Sequence, residues 1–322
     1  MTLHGPTTNV VLLFHSVCSR DWFRTTIKTI KRAFQFVSQS DLEAYFQGDR
    51  AFNRACHVTF DDGDSAFMDI AFPVLQDMGI ASSLFVSPQI IRNQTRYWFQ
   101  ELEDLQQHVG ERQIKNEVAR VLGCDVERIV AFDLFDVFKC MSIRQVQEVL
   151  GAVSATTRPE ARRRYNLTVS DLLTLRDSGL VSIGAHSNDH PILALESEES
   201  SKTQIRDSIQ NLSGLLGHPV TSFAYPNGLS GLDFGSREKT SLQECDVKLA
   251  FTANAGFFHR RTDPLAIPRV AFEGAAREVP FWIAGKLLFA PLWDRTRELL
   301  RSDTEAKARA EINLLLSQHT GG

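Results

Sequence analysis

Short apolar runs recur along this chain, and each ends in polar residues before a stretch of helical periodicity begins. Val10 to Phe14 (VVLLF) runs into His15-Ser16, and His57 to Phe60 (HVTF) runs into Asp61-Asp62-Gly63. Leu180 to Ala185 runs into His186, and Val220 to Ala224 into Tyr225-Pro226-Asn227-Gly228. Strand-like runs alternating with amphipathic helices predict parallel βα units. In such architectures sites collect at the carboxyl ends of the strands. Sequence order therefore predicts that His15, Asp61, Asp62, His186, His190, Tyr225 and Asn227 converge.

From about Arg96 to Tyr165 the rhythm breaks. YWFQELEDLQQHV, QIKNEVARVL and IRQVQEVLGAV all carry helical spacing and few strand signals, which predicts a helical insertion over about 96–165, placed as a cap over a site. Alternation then resumes, with Ser170 read as a helix cap, a long helix over about Glu198 to Leu216, and a last strand near Pro268-Arg269-Val270. After about residue 275 the character changes again. AREVPFWIAGKLLFAPLWDRTRELLR combines large apolar residues with Lys286, Arg295, Arg297 and Arg301. Two readings fit 280–301: a helix packed on the main domain or a second subunit, or an interfacial segment giving peripheral membrane contact. The final turns, SDTEAKARAEINLLLSQ, read as an exposed helix.

Composition narrows the function classes. The chain has 322 residues, 43% of them hydrophobic and 23% charged, so it can bury a sizeable core. A formal net charge of −4 lends no support to a nucleic-acid partner. Five widely spaced cysteines without a C-x-x-C argue against a disulfide scaffold or a cysteine zinc site. With no signal-peptide pattern at the start and no apolar run of membrane-spanning length, the expected location is cytoplasmic, with the inner membrane face as the place for any peripheral contact.

Two pieces carry chemistry. Adjacent carboxylates at Asp61 and Asp62 repel unless solvated or shared with a cation, and Gly63 permits a tight turn; the same three residues also suit an ordinary helix N-terminus. His186 and His190, at i and i+4, fall on one face of a helical turn and suit a divalent ion, although a lone H-x-x-x-H is more often incidental. One carboxylate with two imidazoles leaves coordination positions open, as a catalytic site requires.

Taken together and in order, these pieces resemble the polysaccharide deacetylases of the NodB homology class, carbohydrate esterase family four. Thr59-Phe60-Asp61-Asp62-Gly63 is similar to that family's first motif, His186-Ser187-Asn188-Asp189-His190 to its second, and Phe223-Ala224-Tyr225-Pro226-Asn227-Gly228 to its third. Phe14-His15-Ser16-Val17 and Ile267-Pro268-Arg269 resemble opening and closing elements of one branch. The resemblance covers about residues 9 to 273, more weakly over the insertion. It implies an α/β fold, a distorted (β/α)7-type barrel, with a NodB-like domain over 1–275 and a C-terminal helical tail over 276–322.

The resemblance also implies roles. Asp62, His186 and His190 would hold a divalent metal, commonly zinc, and Asp61 would be the general base. The backbone N–H of Asn227 would help to stabilise the oxyanion. Two departures stand out. Ala224 occupies the place of the arginine that usually orients the base, which leaves Arg269 to supply a guanidinium, unless Arg269 makes only an ordinary salt bridge. The family's late histidine motif is also missing, so His15 becomes the candidate general acid, with His259 second. Apart from the resemblance, Tyr225 and Trp98 are the aromatics read as either stacking on sugar or packing in the core.

The implied activity is hydrolytic removal of N-acetyl or related acyl groups from a sugar, oligosaccharide or glycolipid. Two alternatives stand beside it: a deformylase or O-acetyl esterase using the same site, and a non-catalytic carbohydrate-binding relative. No G-x-S-x-G, G-x-G-x-x-G or P-loop supports another class.

Overall fold

A computed structural model describes residues 8–155, 165–272 and 304–316. Eight strands form one sheet among these residues: β1 (Val10–Phe14), β2 (Gln35–Phe36), β3 (Ala55–Phe60), β4 (Ser82–Val86), β5 (Val181–Ala185), β6 (Ser222–Ala224), β7 (Leu249–Phe251) and β8 (Val270–Ala271). Seven follow one another in the order β7-β6-β5-β4-β3-β1-β8, with β2 pairing off this path on β3. Every pairing is parallel. Ile267, just before β8, bridges in parallel to Phe251 of β7, so the path curls back on itself. The result is the distorted (β/α) barrel expected from the sequence.

Burial on both faces explains why the strands read as unbroken apolar runs. Val10, Leu12 and Phe14 of β1 pack with Val58 and Phe60 of β3 into the larger core, together with Phe23 and Ile27 from the helix Arg20–Lys31. Val11 points the other way, into a smaller cluster with Phe85, Ala224, Leu249, Phe251 and Ile267. The same period of two turns Thr59 away from the larger core, and Asp61 continues its direction. Gly184 sits where β5 is tightest: a Cβ there would lie 2.4 Å from the Phe85 ring and 2.5 Å from the Ser222 hydroxyl.

The insertion is helical as expected. Helices Trp98–Val109, Glu111–Leu122, Leu134–Phe138 and Ile143–Ser154 enclose a second core that includes Leu102, Ile114, Val118, Val137, Phe138 and Val149. Its return passes beside the Asp61-Asp62-Gly63 turn, where Leu167 N donates to Gly63 O at 2.8 Å and Ser65 N donates to Tyr165 O at 2.8 Å.

Several local expectations need correction. The helix cap is Thr168, not Ser170: its hydroxyl accepts from Asp171 N, and Asp171 closes the capping box. The helices Pro88–Asn93 and Ser236–Glu244 went unread. The final helix, at 304–316, is not simply exposed, because Arg309 and Ile312 on it are buried. The segment 280–301, read as a packing or membrane-contact element, lies outside the described residues. No helix among the described residues is long and apolar enough to cross a membrane.

Candidate metal and catalytic centre

The loops after β1, β3, β5 and β6 meet at one end of the barrel. Asp61 N donates to Phe14 O at 3.0 Å, and His186 N donates to Val86 O at 3.0 Å, which ties the first residue of each loop to the neighbouring strand end. Four non-glycine residues here hold left-handed backbone: Asp62 (φ 68°), Ser187 (φ 57°), His190 (φ 59°) and Asn227 (φ 56°). Each such residue costs on the order of 1 kcal/mol or more, and clustering of this strain is typical of functional loops.

His186 and His190 therefore do not share a helical face. Residues 186–190 form an irregular loop, folded back by the positive φ at Ser187 and His190, and this brings the two ring centroids to 4.8 Å. The loop is held from several sides. Gln204 Oε1 accepts from Asn188 N and Asp189 N, Ser87 Oγ donates to His186 O, and Trp98 Nε1 donates to His190 O at 3.0 Å.

Asp62 Oδ1 lies 3.4 Å from His186 Nε2 and 3.5 Å from His190 Nε2. The three side chains are buried, and their ligand atoms all lie within 4.8 Å of one another. His186 Nδ1 donates to Ala224 O at 2.7 Å, which leaves the Nε2 lone pair turned towards Asp62. Asp62 Oδ1 is buried without a hydrogen-bond donor, an arrangement that is costly unless a cation satisfies it. The donor set, one carboxylate and two imidazoles, fits a borderline divalent ion and leaves coordination positions open. Burial lowers the His190 pKa to about 4, keeping this ring neutral and its lone pair available at ordinary pH.

Asp61 is committed elsewhere. Arg269 Nη1 donates to its Oδ1 at 2.8 Å and Nη2 to its Oδ2 at 2.7 Å, while Arg269 Nε donates to Thr252 O and Nη1 to Thr59 Oγ1. Arg269 is 1% exposed, so this is a buried, bidentate pair rather than a surface salt bridge. Burial alone would push the Asp61 carboxyl up; the Arg269 charge is the largest influence opposing this, and the carboxyl stays below the usual carboxylate range. The two aspartates thus have separate partners: Asp62 faces the imidazoles and Asp61 the guanidinium.

His15 is exposed immediately after β1, at the strand end where the Asp61 loop is tied to Phe14 O. His259 stands apart: its neighbour Phe258 bridges to Asn9, at the start of β1 and so at the opposite end of the barrel.

Neither aromatic read as a sugar platform has the surface for it. Tyr225 is 1% exposed; its hydroxyl donates to Leu265 O at 2.9 Å and its ring stacks on Phe234 at 3.6 Å. Trp98 is buried against Phe138 in the insertion core, and its indole N–H holds the His190 loop. Phe99, which the sequence reading passed over, is only half-buried and meets the His190 ring edge-on at 5.3 Å. Its place directly after Trp98 was the available signal. Asn227 stands in the loop after β6, its side-chain amide donating to Asp233 Oδ2 at 2.6 Å.

The family model described as polysaccharide deacetylase matches residues 136–247, a span that contains both histidines and the Phe223–Gly228 motif. The match is to the polysaccharide deacetylases. The resemblance carried by the motifs is thereby borne out, although Asp61 and Asp62 lie before the matched span. Among solved structures, the chain is similar to the Streptococcus pyogenes deacetylase PplD in complex with acetate, at 15% identity and a TM-score of 0.56, covering 86% of this chain and 96% of that one. IcaB from Ammonifex degensii is similar at 20% identity and a TM-score of 0.58, over the same shares of the two chains. The deacetylase domain of BpsB from Bordetella bronchiseptica is similar at 15% identity and 0.54, over 83% and 96%. At these identities the structures establish the polysaccharide-deacetylase fold. No curated protein sequence matches the chain.

Proposed function

We propose that this chain is a metal-dependent hydrolase that removes N-acetyl, or related acyl, groups from a carbohydrate. The observation that carries the reading is the division of labour between adjacent aspartates. Asp62 completes a three-ligand set with His186 and His190, while Asp61 is held ionised by Arg269 beside that set. A bound divalent ion, with zinc the metal we propose, supplies a Lewis acid for the acyl carbonyl and makes a nucleophile available at neutral pH.

The chain's own residues do the rest. Asp61 takes the proton of the attacking water, and its low pKa keeps it unprotonated for that task. Arg269 orients the Asp61 carboxylate by gripping both oxygens. The Asn227 backbone N–H is the proposed donor to the developing oxyanion. His15, exposed at the end of β1, is the proposed acid that protonates the departing amine. The half-buried ring of Phe99 is the proposed apolar wall for the sugar.

Acetate release from defined N-acetylated oligosaccharides, followed by mass spectrometry of the glycan, tests this reading. Turnover is expected with zinc or cobalt, loss on chelation, and recovery on adding metal back. Binding of the glycans without any acyl release would instead favour a carbohydrate-binding relative. Turnover only on formylated or O-acetylated substrates would keep the site and change the acyl group.

A further inference from the structure

Arg269 and Arg309 are the largest fully buried side chains among the described residues. The first holds the Asp61 carboxylate. The second comes from the helix at 304–316, far along the chain, and its guanidinium meets Asp233, with Nη1 to Oδ1 at 2.5 Å. Asp233 is itself 1% exposed, and its other oxygen accepts from Asn227 Nδ2 at 2.6 Å and Leu229 N at 2.8 Å. Glu305, one turn before Arg309, also reaches Asn227 Nδ2 at 3.4 Å. Burial pushes the Asp233 carboxyl up, and the Arg309 charge is the largest influence opposing that.

The same helix is fastened to the insertion on its other side. Ile312 joins the insertion core, Arg128 Nη1 donates to Leu315 O at 3.1 Å, and Lys139 pairs with Glu305 at 2.9 Å. The helix therefore spans from the insertion to the loop that presents Asn227. That loop is strained and closely packed: Asn227 is left-handed, and Gly228 after it packs so closely on Ala253 that a Cβ would meet the Ala253 nitrogen at 2.8 Å.

We infer that Arg309 is a positioning residue for the reaction: through Asp233 it fixes the Asn227 loop, so that the C-terminal helix completes the oxyanion side of the site. The inference rests on the deacetylase reading, in which the Asn227 backbone N–H does the stabilising. The guanidinium touches no reacting atom; it opposes the upward push of burial on Asp233 and holds the carboxylate in place, and Asp233 anchors the Asn227 amide and the Leu229 N–H. A donor displaced by about 1 Å loses much of its effect on the transition state while barely altering how substrate binds.

The test uses the full chain loaded with zinc. In Arg309→Met, kcat is expected to fall roughly 10- to 100-fold, with KM and bound metal within about twofold of the parent. Arg309→Lys, which keeps a charge beside Asp233, recovers part of that loss. Arg128→Gln, which loosens the far end of the same helix, stays within about twofold in kcat. Should Arg309→Met fail to fold, Asp233→Asn is expected to reproduce the pattern. Hydrogen exchange at 225–229 gives a readout independent of turnover: faster exchange there in Arg309→Met or Asp233→Asn, and not in Arg128→Gln. Unchanged kcat and unchanged exchange in these variants would overturn the inference. A parent enzyme that releases no acyl group, with exchange still responding to Arg309, would instead place the failure in the deacetylase reading.

Discussion

Asp61→Asn is expected to lower kcat by about 10²- to 10⁴-fold, the usual worth of a positioned general base, while the protein still binds metal. Metal survives because the ligand oxygen belongs to Asp62, and because Arg269 rather than the histidines grips Asp61. The asparagine keeps the shape and can still accept from Arg269, but it cannot take a proton. It also leaves the Arg269 guanidinium without a counter-charge in a buried position, so some loss of stability accompanies the loss of rate. Turnover measured per folded molecule, beside metal content, separates the two effects. Near-normal kcat in the variant would remove Asp61 from the mechanism.

Arg269→Met attacks the same pair from the other side. Removing one partner of a buried ion pair typically costs about 3–5 kcal/mol, because the remaining charge is left uncompensated. For a chain of this size that corresponds to a fall of roughly 4–7 °C in Tm. The pH dependence should move as well. Desolvation is the largest influence on Asp61 and raises its pKa, while Arg269 is the largest influence lowering it. Without the guanidinium the carboxyl titrates at higher pH, so the base becomes protonated over a range where the parent is active. The acid limb of the kcat/KM profile is expected to shift towards higher pH, with activity regained as the pH rises. An unmoved profile with lowered Tm would make Arg269 a structural residue only.

The legible parts of this molecule are those whose physics is local. Buried parallel strands cannot alternate with polar residues, so VVLLF and its counterparts mark themselves, and the polar residues after them mark the site. Arg269 was legible through the resemblance of Ile267-Pro268-Arg269 to a family element, although only the folded chain shows both of its η nitrogens on Asp61. What stayed hidden depends on direction in space. Tyr225 and Trp98 look like sugar platforms until the hydroxyl is found on Leu265 O and the indole N–H on His190 O. His186 and His190 look helical by spacing, yet positive φ at Ser187 and His190 brings them together by a different route. Arg309 gave no warning, because its polar neighbours on the helix suggest an exposed face. Its partner Asp233 lies 76 residues away in sequence.

The most direct measurement is the metal content of the purified chain, taken by elemental analysis after exposure to zinc and removal of excess ion. The account predicts one divalent ion per chain, retained in Asp61→Asn and lost in His186→Gln and Asp62→Asn. A folded parent that binds no ion, or an ion that persists when those ligands are replaced, would contradict it.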